Sequence, residues 1–210
     1  AGCGTGGTLA FLASRFELSY LGGIDISPMA IEIAATKVPT ADLRIGDICE
    51  STALPKDLDL VTCFDVVNVP GITRSLTGLR DLVSEIRPGG LFVLNVPAYG
   101  WLYSQHDIAV HTTERYSIQE IRRMMGELGL EITVLTYRLC TLFVPLALLR
   151  LRSIIQPSSV KGAVQSDLHR TAGRGLNRLL FTILRTENWL ISRGKKLPFG
   201  SSVFAVGRKY

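Results

Sequence analysis

The chain opens on Ala1-Gly2-Cys3-Gly4-Thr5-Gly6-Gly7, and an aspartate, Asp25, closes an apolar run 23 residues after Gly2. Glycines let the backbone turn sharply and leave the amides at a helix N-terminus open to a ligand. A carboxylate at the tip of the following strand can accept two ribose hydroxyls. Gly2, Gly4 and Gly7 fit the dinucleotide spacing G-x-G-x-x-G, while Gly2, Gly4 and Gly6 fit the tighter G-x-G-x-G of methyl-donor sites. The loop alone therefore leaves both ligands open, beside the plainer reading of a tight turn with none. Two more carboxylates, in Gly46-Asp47-Ile48 and Phe64-Asp65-Val66, follow later strand-like runs, where they either face a ligand or merely cap the next turn.

The remaining reactive side chains are gathered in residues 97–116, a stretch with neither strand nor helix period. It holds His106-Asp107, His111 and Arg115-Tyr116, and so two of the three histidines of the chain. A segment of this length between regular elements argues for a functional loop. An imidazole at His106 or His111 could take a proton from a reacting group, with Tyr116 as a further candidate. Asp107 could orient the His106 ring or simply cap a turn.

Positioning these groups requires a regular frame. Residues 7–16 read as a helix, Leu18 to Ile24 as a strand, and Ser27-Pro28 as the cap and first position of a helix buried through Ile31, Ala34, Ala35 and Val38. Leu43 to Ile45 and Leu58 to Phe64 read as strands. Leu76 to Ile86 carry a helical stripe stopped by Pro88-Gly89-Gly90, ahead of a strand at Leu91 to Val96. Ser117 and Glu120 form a capping box for a helix ended by Gly129, and strands follow at Glu131 to Tyr137 and Ser202 to Val206. This alternation predicts an α/β fold with a doubly wound, mostly parallel sheet. We expect one domain over residues 1–210, with 1–137 and 198–210 as a Rossmann-like core and 138–197 as a helical insertion or lid.

Gly2-Cys3-Gly4-Thr5-Gly6, Asp25, Gly46-Asp47-Ile48, Phe64-Asp65-Val66 and Arg87-Pro88-Gly89-Gly90-Leu91 together resemble the class I S-adenosylmethionine-dependent methyltransferases over residues 1–137 and the last strand. The resemblance implies S-adenosylmethionine as methyl donor, S-adenosylhomocysteine as product and no metal. By position, Gly2, Cys3, Gly4 and Gly6 would pass around the methionine end and ribose, Asp25 would hold the ribose, and Ile26 would lie on the adenine. Asp47 and Ile48 would meet the adenine edge and face, and Asp65 and Val66 the methionine side. It further implies an antiparallel last strand, and a central first strand before the glycine loop that is missing from this chain. Where small-molecule members carry an acidic-His pair after the fourth strand, this chain has Val67-Asn68-Val69-Pro70, which leaves Asn68 without an assigned role. The loop Trp101-Leu102-Tyr103-Ser104-Gln105-His106-Asp107, with Arg115-Tyr116, is similar to a subgroup reading W-L-x-S-x-H-D, then His, then R-R-Y. That later His position holds Thr112 here, and His111 stands one residue earlier.

Composition narrows the partners. The net charge of +5 hides 7 basic and 12 acidic residues in 1–110 against 16 and 6 in 111–210. The acidic half holds the donor motifs, and the basic half is mixed with leucines. Mean hydropathy is +0.27, yet the Leu139 to Leu149 run contains Pro145 and is far short of the roughly 20 residues a spanning helix needs. Arg174, Arg178 and Arg185 fall on one side of a helix opposite Leu179, Leu180, Ile183, Leu190 and Ile191. Residues 139–193 are thus an ordinary packed pair of helices or a surface for anionic membrane or a lipid-like acceptor. Nucleic acid is not expected, since the arginines lack interleaved stacking aromatics. Four scattered cysteines without a C-x-x-C pair fit a reducing cytoplasm, with peripheral membrane contact as an option. The expected activity is methyl transfer to a small-molecule or lipid-linked acceptor. A non-catalytic binding relative and a nicotinamide-dependent oxidoreductase are the rivals, and the sequence leaves the oligomeric state open.

Overall fold

The computed structural model describes residues 1–50, 55–69, 71–155 and 174–210. Helix α1 (Gly7–Arg15) leads to β1 (Gly22–Asp25), α2 (Pro28–Lys37), β2 (Asp42–Ile45) and β3 (Leu58–Phe64). Then come α3 (Ile72–Ser84), β4 (Ile86–Pro97), a 3-10 turn at Gly100–Leu102, and the short α4 (Gln105–Ala109). Helix α5 (Ile118–Glu127), β5 (Leu130–Arg138), α6 (Cys140–Ile155), α7 (Arg174–Ser192) and β6 (Ser202–Lys209) complete the order. The stripe predicted at residues 174–193 is α7, although the side chain of Arg174, like those of Arg150 and Arg152, lies outside the described residues.

The strands form two sheets. β1 and β2 pair in parallel, and the four-stranded sheet runs β3-β4-β6-β5, with β6 antiparallel to both neighbours. Between the sheets runs Ala1–Cys3: the Ala1 nitrogen donates to the Thr62 carbonyl of β3 at 2.7 Å, and the Cys3 amide to Ile24 of β1 at 2.9 Å. This is the position at which the resemblance called for a further central strand. The glycine loop leaves from there, so the tips of β1 and β3 flank it.

The four-stranded sheet buries one face against α3 and α5. Phe92, Leu94 and Val96 alternate along β4 and are fully buried with Val203 and Ala205 of β6, Leu79 of α3, and Ile121 and Met125 of α5. This period-2 pattern on one side of β4 is what a half-covered strand requires. Burial pushes the Cys63 thiol in this core up to about 11. Two boundaries differ from the sequence expectation. β4 begins at Ile86, which pairs with Leu58, and the Pro88-Gly89-Gly90 segment is a bulge within it, Gly89 taking φ +79°. β1 begins only at Gly22. Leu18 and Tyr20 ahead of it are 44% and 38% exposed, and Ala35 of α2 is exposed rather than buried.

Candidate active site

The glycine loop is set by three left-handed residues, Gly2 (φ +64°), Gly4 (φ +51°) and Gly6 (φ +78°), a conformation that strains any other residue. Each has its own neighbour. A Cβ on Gly2 would run into the Val66 side chain after β3, and one on Gly6 would lie 3.0 Å from the Ala34 Cβ of α2. A Cβ on Gly4 would meet nothing, so at Gly4 the backbone is bare toward open space. Asp25 fastens this loop to the strand tip: its Oδ2 accepts from the Gly4 amide at 2.8 Å and its Oδ1 from the Ser27 amide at 3.0 Å. A carboxylate has about four lone-pair sites, so two hydroxyls can still be accepted. Ile26 beside it is 68% exposed, an apolar surface placed for a flat ring.

Gly46 donates to the Asp25 carbonyl, which brings Asp47 to the same edge. Asp47 accepts from the Cys49 amide at 2.9 Å and lies 3.4 Å from Arg74. Ile48 is only 6% exposed, and its carbonyl fits against the missing side chain of Gly78 in α3. The Cys3 side chain packs on Gly23, and its thiol is raised mainly by burial, then by Asp25. Ile48 and Cys3 therefore pack the walls, whereas Gly4, Asp25 and Ile26 present the surface.

At the tip of β3, Asp65 sits at φ +55° and accepts from Asn95 Nδ2 of β4 at 3.0 Å. Burial pushes its carboxyl above the usual carboxylate range, partly offset by Asn95 and by the Arg138 guanidinium. Asn95 Oδ1 is buried with no partner. A lone carbonyl oxygen beside a desolvated carboxylate fits a cationic ligand group that donates hydrogen bonds, such as an ammonium.

The 97–116 loop is an ordered cap rather than a free strap. Ser104 and Asp107 form a reciprocal box at the start of α4, with Asp107 Oδ2 accepting from the Ser104 amide (2.7 Å) and hydroxyl (2.9 Å). Arg115 grips the same carboxylate through Nε (2.9 Å) and Nη2 (3.1 Å) and donates Nη1 to the Ala98 carbonyl at 3.0 Å. Asp107 is 2% exposed and spent on these partners, so it holds the loop and not the His106 ring. Tyr116 is 3% exposed, and its hydroxyl faces the Val67 carbonyl and the Glu114 carboxylate at 2.8 Å, a packing position. His111 is exposed at φ +58°. His106 differs from all three. It is partly exposed, but its Nδ1 is buried and unpartnered.

Asn68, which the sequence left without a role, is the clamp beneath this loop. Its Nδ2 donates to Thr112 Oγ1 at 2.9 Å, its carbonyl accepts from the Thr113 amide at 2.8 Å, and its Oδ1 is buried without a partner. Thr112, which stands where the similar subgroup has histidine, is held by Asn68. Among the described residues, the buried side-chain atoms lacking partners are Asn68 Oδ1, Asn95 Oδ1 and His106 Nδ1. They come from the loop after β3, the end of β4 and the loop after β4, which is the carboxyl edge where such sheets bind ligands.

Over that edge lies an aromatic cluster that periodicity did not reveal. Tyr99 (φ +57°) stacks on Tyr137 with centroids 5.1 Å apart, and Phe143 of α6 lies 5.4 Å from Tyr99, 5.9 Å from Trp101 and 5.5 Å from Phe199. Burial, and then Tyr137, push the Tyr99 hydroxyl well above its ordinary value. The start of α6 is fixed by Glu187 of α7, whose carboxylate accepts from the Thr141 amide (3.0 Å) and hydroxyl (2.9 Å) and from the Cys140 amide (3.3 Å). A cavity of about 480 Å³ opens between α3 and α5, lined by Thr73, Glu114, Arg115, Tyr116, Glu120 and Arg123. No glycine-loop residue lines it, and the 97–116 loop reaches it only through Glu114, Arg115 and Tyr116.

The arrangement can be set beside known proteins. Residues 1–90 match the family model described as "Methyltransferase domain". Trans-aconitate 2-methyltransferase of Deinococcus radiodurans is 32% identical over 127 residues, covering 60% of this chain and 45% of that protein. The mitochondrial ubiquinone biosynthesis O-methyltransferase of Schizosaccharomyces pombe is 35% identical over 100 residues, covering 45% of this chain and 35% of that one. The chain thus spans less than half the length of these relatives. In fold, it is similar to the geranyl diphosphate C-methyltransferase of Streptomyces coelicolor A3(2), solved with Mg2+, geranyl diphosphate and S-adenosylhomocysteine. That likeness has TM-score 0.61 and 14% identity, over 100% of this chain and 70% of that one.

Proposed function

We propose that the chain, whose residues 1–90 match the methyltransferase-domain model, transfers a methyl group from S-adenosylmethionine to a small-molecule or lipid-linked acceptor. The observation that carries this reading is the bare, left-handed backbone at Gly4, held by Asp25 and facing open space. In this reading Asp25 takes the ribose hydroxyls, Ile26 the adenine face, Asp47 its amino edge, and Asp65 with Asn95 the methionine ammonium. The bound donor supplies a methyl on a positively charged sulfur, open to in-line displacement. The acceptor lone pair forms the new bond to carbon as the carbon–sulfur pair returns to sulfur, leaving S-adenosylhomocysteine. The residues of this chain align and desolvate the two reactants.

A hydroxyl or ammonium acceptor must also lose a proton, and His106 Nδ1 is the unspent base in the loop. Asp107 and Arg115 act as positioning residues that hold α4, while Asn68 ties the loop to the tip of β3. Support for an acceptor with an apolar part comes from Trp101 and Phe199, 46% and 39% exposed at the rim of the aromatic cluster. The test is release of S-adenosylhomocysteine on a panel of sugar, amine and lipid-linked acceptors, with His106→Gln beside the parent. We expect turnover on one acceptor class and a loss of about 100-fold in kcat in the variant, the usual scale of a general base. Turnover unchanged in His106→Gln on a hydroxyl or amine acceptor would remove His106 from the reaction.

A further inference from the structure

Helix α7 presents two faces of opposite character. Its inward stripe, Leu180, Ile183, Leu184, Glu187, Leu190 and Ile191, is buried or half-buried at helical spacing. Its outward stripe is Arg178, Phe181, Arg185, Trp189 and Arg193, all exposed, within about 120° of the helix circumference. Phe181 is 68% and Trp189 52% exposed, and the Arg193 guanidinium lies 4.6 Å from the Trp189 ring centroid. Lys195 and Lys196, also exposed, follow directly. Between Arg174 and Tyr210 the sole carboxylate side chain is Glu187, which turns inward, 8% exposed, to cap α6. The outward face therefore combines cations and large aromatics with no acid to balance them.

The helix that α7 caps also exposes apolar side chains. α6, anchored to α7 through Glu187, exposes Val144, Leu146 and Leu148 at 49%, 48% and 63%. Among the described residues no helix is long and apolar enough to cross a membrane. Arginine and tryptophan side by side suit the headgroup level of a bilayer, where the guanidinium meets phosphate and the ring meets the acyl boundary. Contrary to the sequence expectation, aromatics are interleaved with these arginines, so a nucleic acid would meet both cations and rings, but it would leave the exposed aliphatics of α6 uncovered, as would an acidic protein groove.

We propose that the outward face of α7 docks the protein on an anionic lipid bilayer, lying in the plane of the headgroups. This goes beyond the methyl-transfer reading and does not depend on it.

The test uses the full chain and sedimentation with vesicles of one part phosphatidylglycerol to two parts phosphatidylcholine, against pure phosphatidylcholine. We expect binding to the anionic vesicles that weakens with added salt. Each arginine near a charged surface contributes about fivefold, so Arg178→Gln with Arg185→Gln should lose on the order of 25-fold. In Trp101→Phe protein, Trp189 is the remaining tryptophan, and its emission should shift to the blue on anionic vesicles. Equal binding to both vesicle types, no binding to either, or an unshifted Trp189 would overturn the proposal. So would equally tight, arginine-dependent binding to a duplex oligonucleotide at the same salt. Titration with S-adenosylhomocysteine on the same samples reads the donor site separately, so the two readings fail independently.

Discussion

Replacing Asp107 with asparagine keeps the shape of the side chain and removes its charge, leaving the Arg115 guanidinium, 12% exposed, without its countercharge while it still donates to the Ala98 carbonyl at 3.0 Å. Breaking one side of a buried ion pair costs about 3–5 kcal/mol, because the other charge is left desolvated. For a chain of this size each kcal/mol moves the midpoint by about 2–4 °C, so Asp107→Asn should lower Tm by about 6–20 °C. The control is Asp59→Asn. Asp59 also meets an arginine, Arg87, at 2.7 Å, but the two side chains are 78% and 50% exposed. Screened by water, that pair is worth at most about 1 kcal/mol, and its loss should shift Tm by no more than about 4 °C. The two contacts have similar lengths, so burial, together with the Ser104 bonds and the second arginine nitrogen that Asp107 also accepts, separates the expectations. Thermal unfolding followed by circular dichroism, with urea midpoints as a second measure, decides it. Adding Arg115→Met to Asp107→Asn should recover part of the loss, since the unpaired charge is then gone. If Asp107→Asn costs no more than Asp59→Asn, the loop is not held by this pair and the role given to Asp107 is wrong.

Gly4→Ala and Gly2→Ala should separate ligand contact from folding. Alanine at Gly4 bears only left-handed strain, about 1–2 kcal/mol, and touches nothing, yet its methyl enters the donor space, so calorimetry should show weakened S-adenosylhomocysteine binding with a modest change in Tm. Gly2→Ala drives a methyl into Val66 and should destabilise more than Gly4→Ala; the reverse order in Tm would contradict this packing. Asp65 gives a pH prediction. Its pKa is raised on folding by burial, so the folded chain holds this proton more tightly than the unfolded one; the stability this lends is full below the ordinary value of 3.8 and is lost as pH rises through the raised value. Asp65→Asn should therefore gain stability over the parent as pH climbs through that window, measured by urea midpoints at both ends, and a constant difference would refute the burial argument.

Where local chemistry decides structure, the sequence was readable. Ser27-Pro28 and Ser117 with Glu120 announce helix starts, and the structure shows Ser27 Oγ accepting from Ala30 and both arms of the Ser117 box. β3 could be bounded at Leu58 and Phe64 because its apolar run ends in charge on both sides. Pairing decided the rest. Pro88-Gly89-Gly90 looked like an interruption, but Ile86 gains a partner in Leu58 and the break becomes a bulge. α4 has too few residues to show a period, and it exists because Asp107 closes its box and Arg115, eight residues on, closes the loop. The glycine loop and the strand-tip acids of the candidate site were legible as spacing, since backbone turns need glycine and strand tips favour polar residues. The cap and aromatic cluster above them were not, because Asn68, Tyr99 and Tyr137 act through contacts distant in sequence. Two traces were present: Asn95 is the lone polar residue in Leu91 to Val96, and Glu187 the lone acid after Arg174.

The central claim is that the Gly2–Gly6 loop and Asp25 form the site for the methyl donor. Calorimetric titration of S-adenosylhomocysteine into the parent, Asp25→Asn and Asp25→Ala tests it most directly, with circular dichroism confirming that each variant is folded. Losing a charged acceptor for ribose hydroxyls should cost about 1.5–3 kcal/mol, so binding by the parent should weaken by roughly 10- to 100-fold in both variants. No heat at millimolar ligand in the parent, or unchanged affinity in folded Asp25→Ala, would contradict the account.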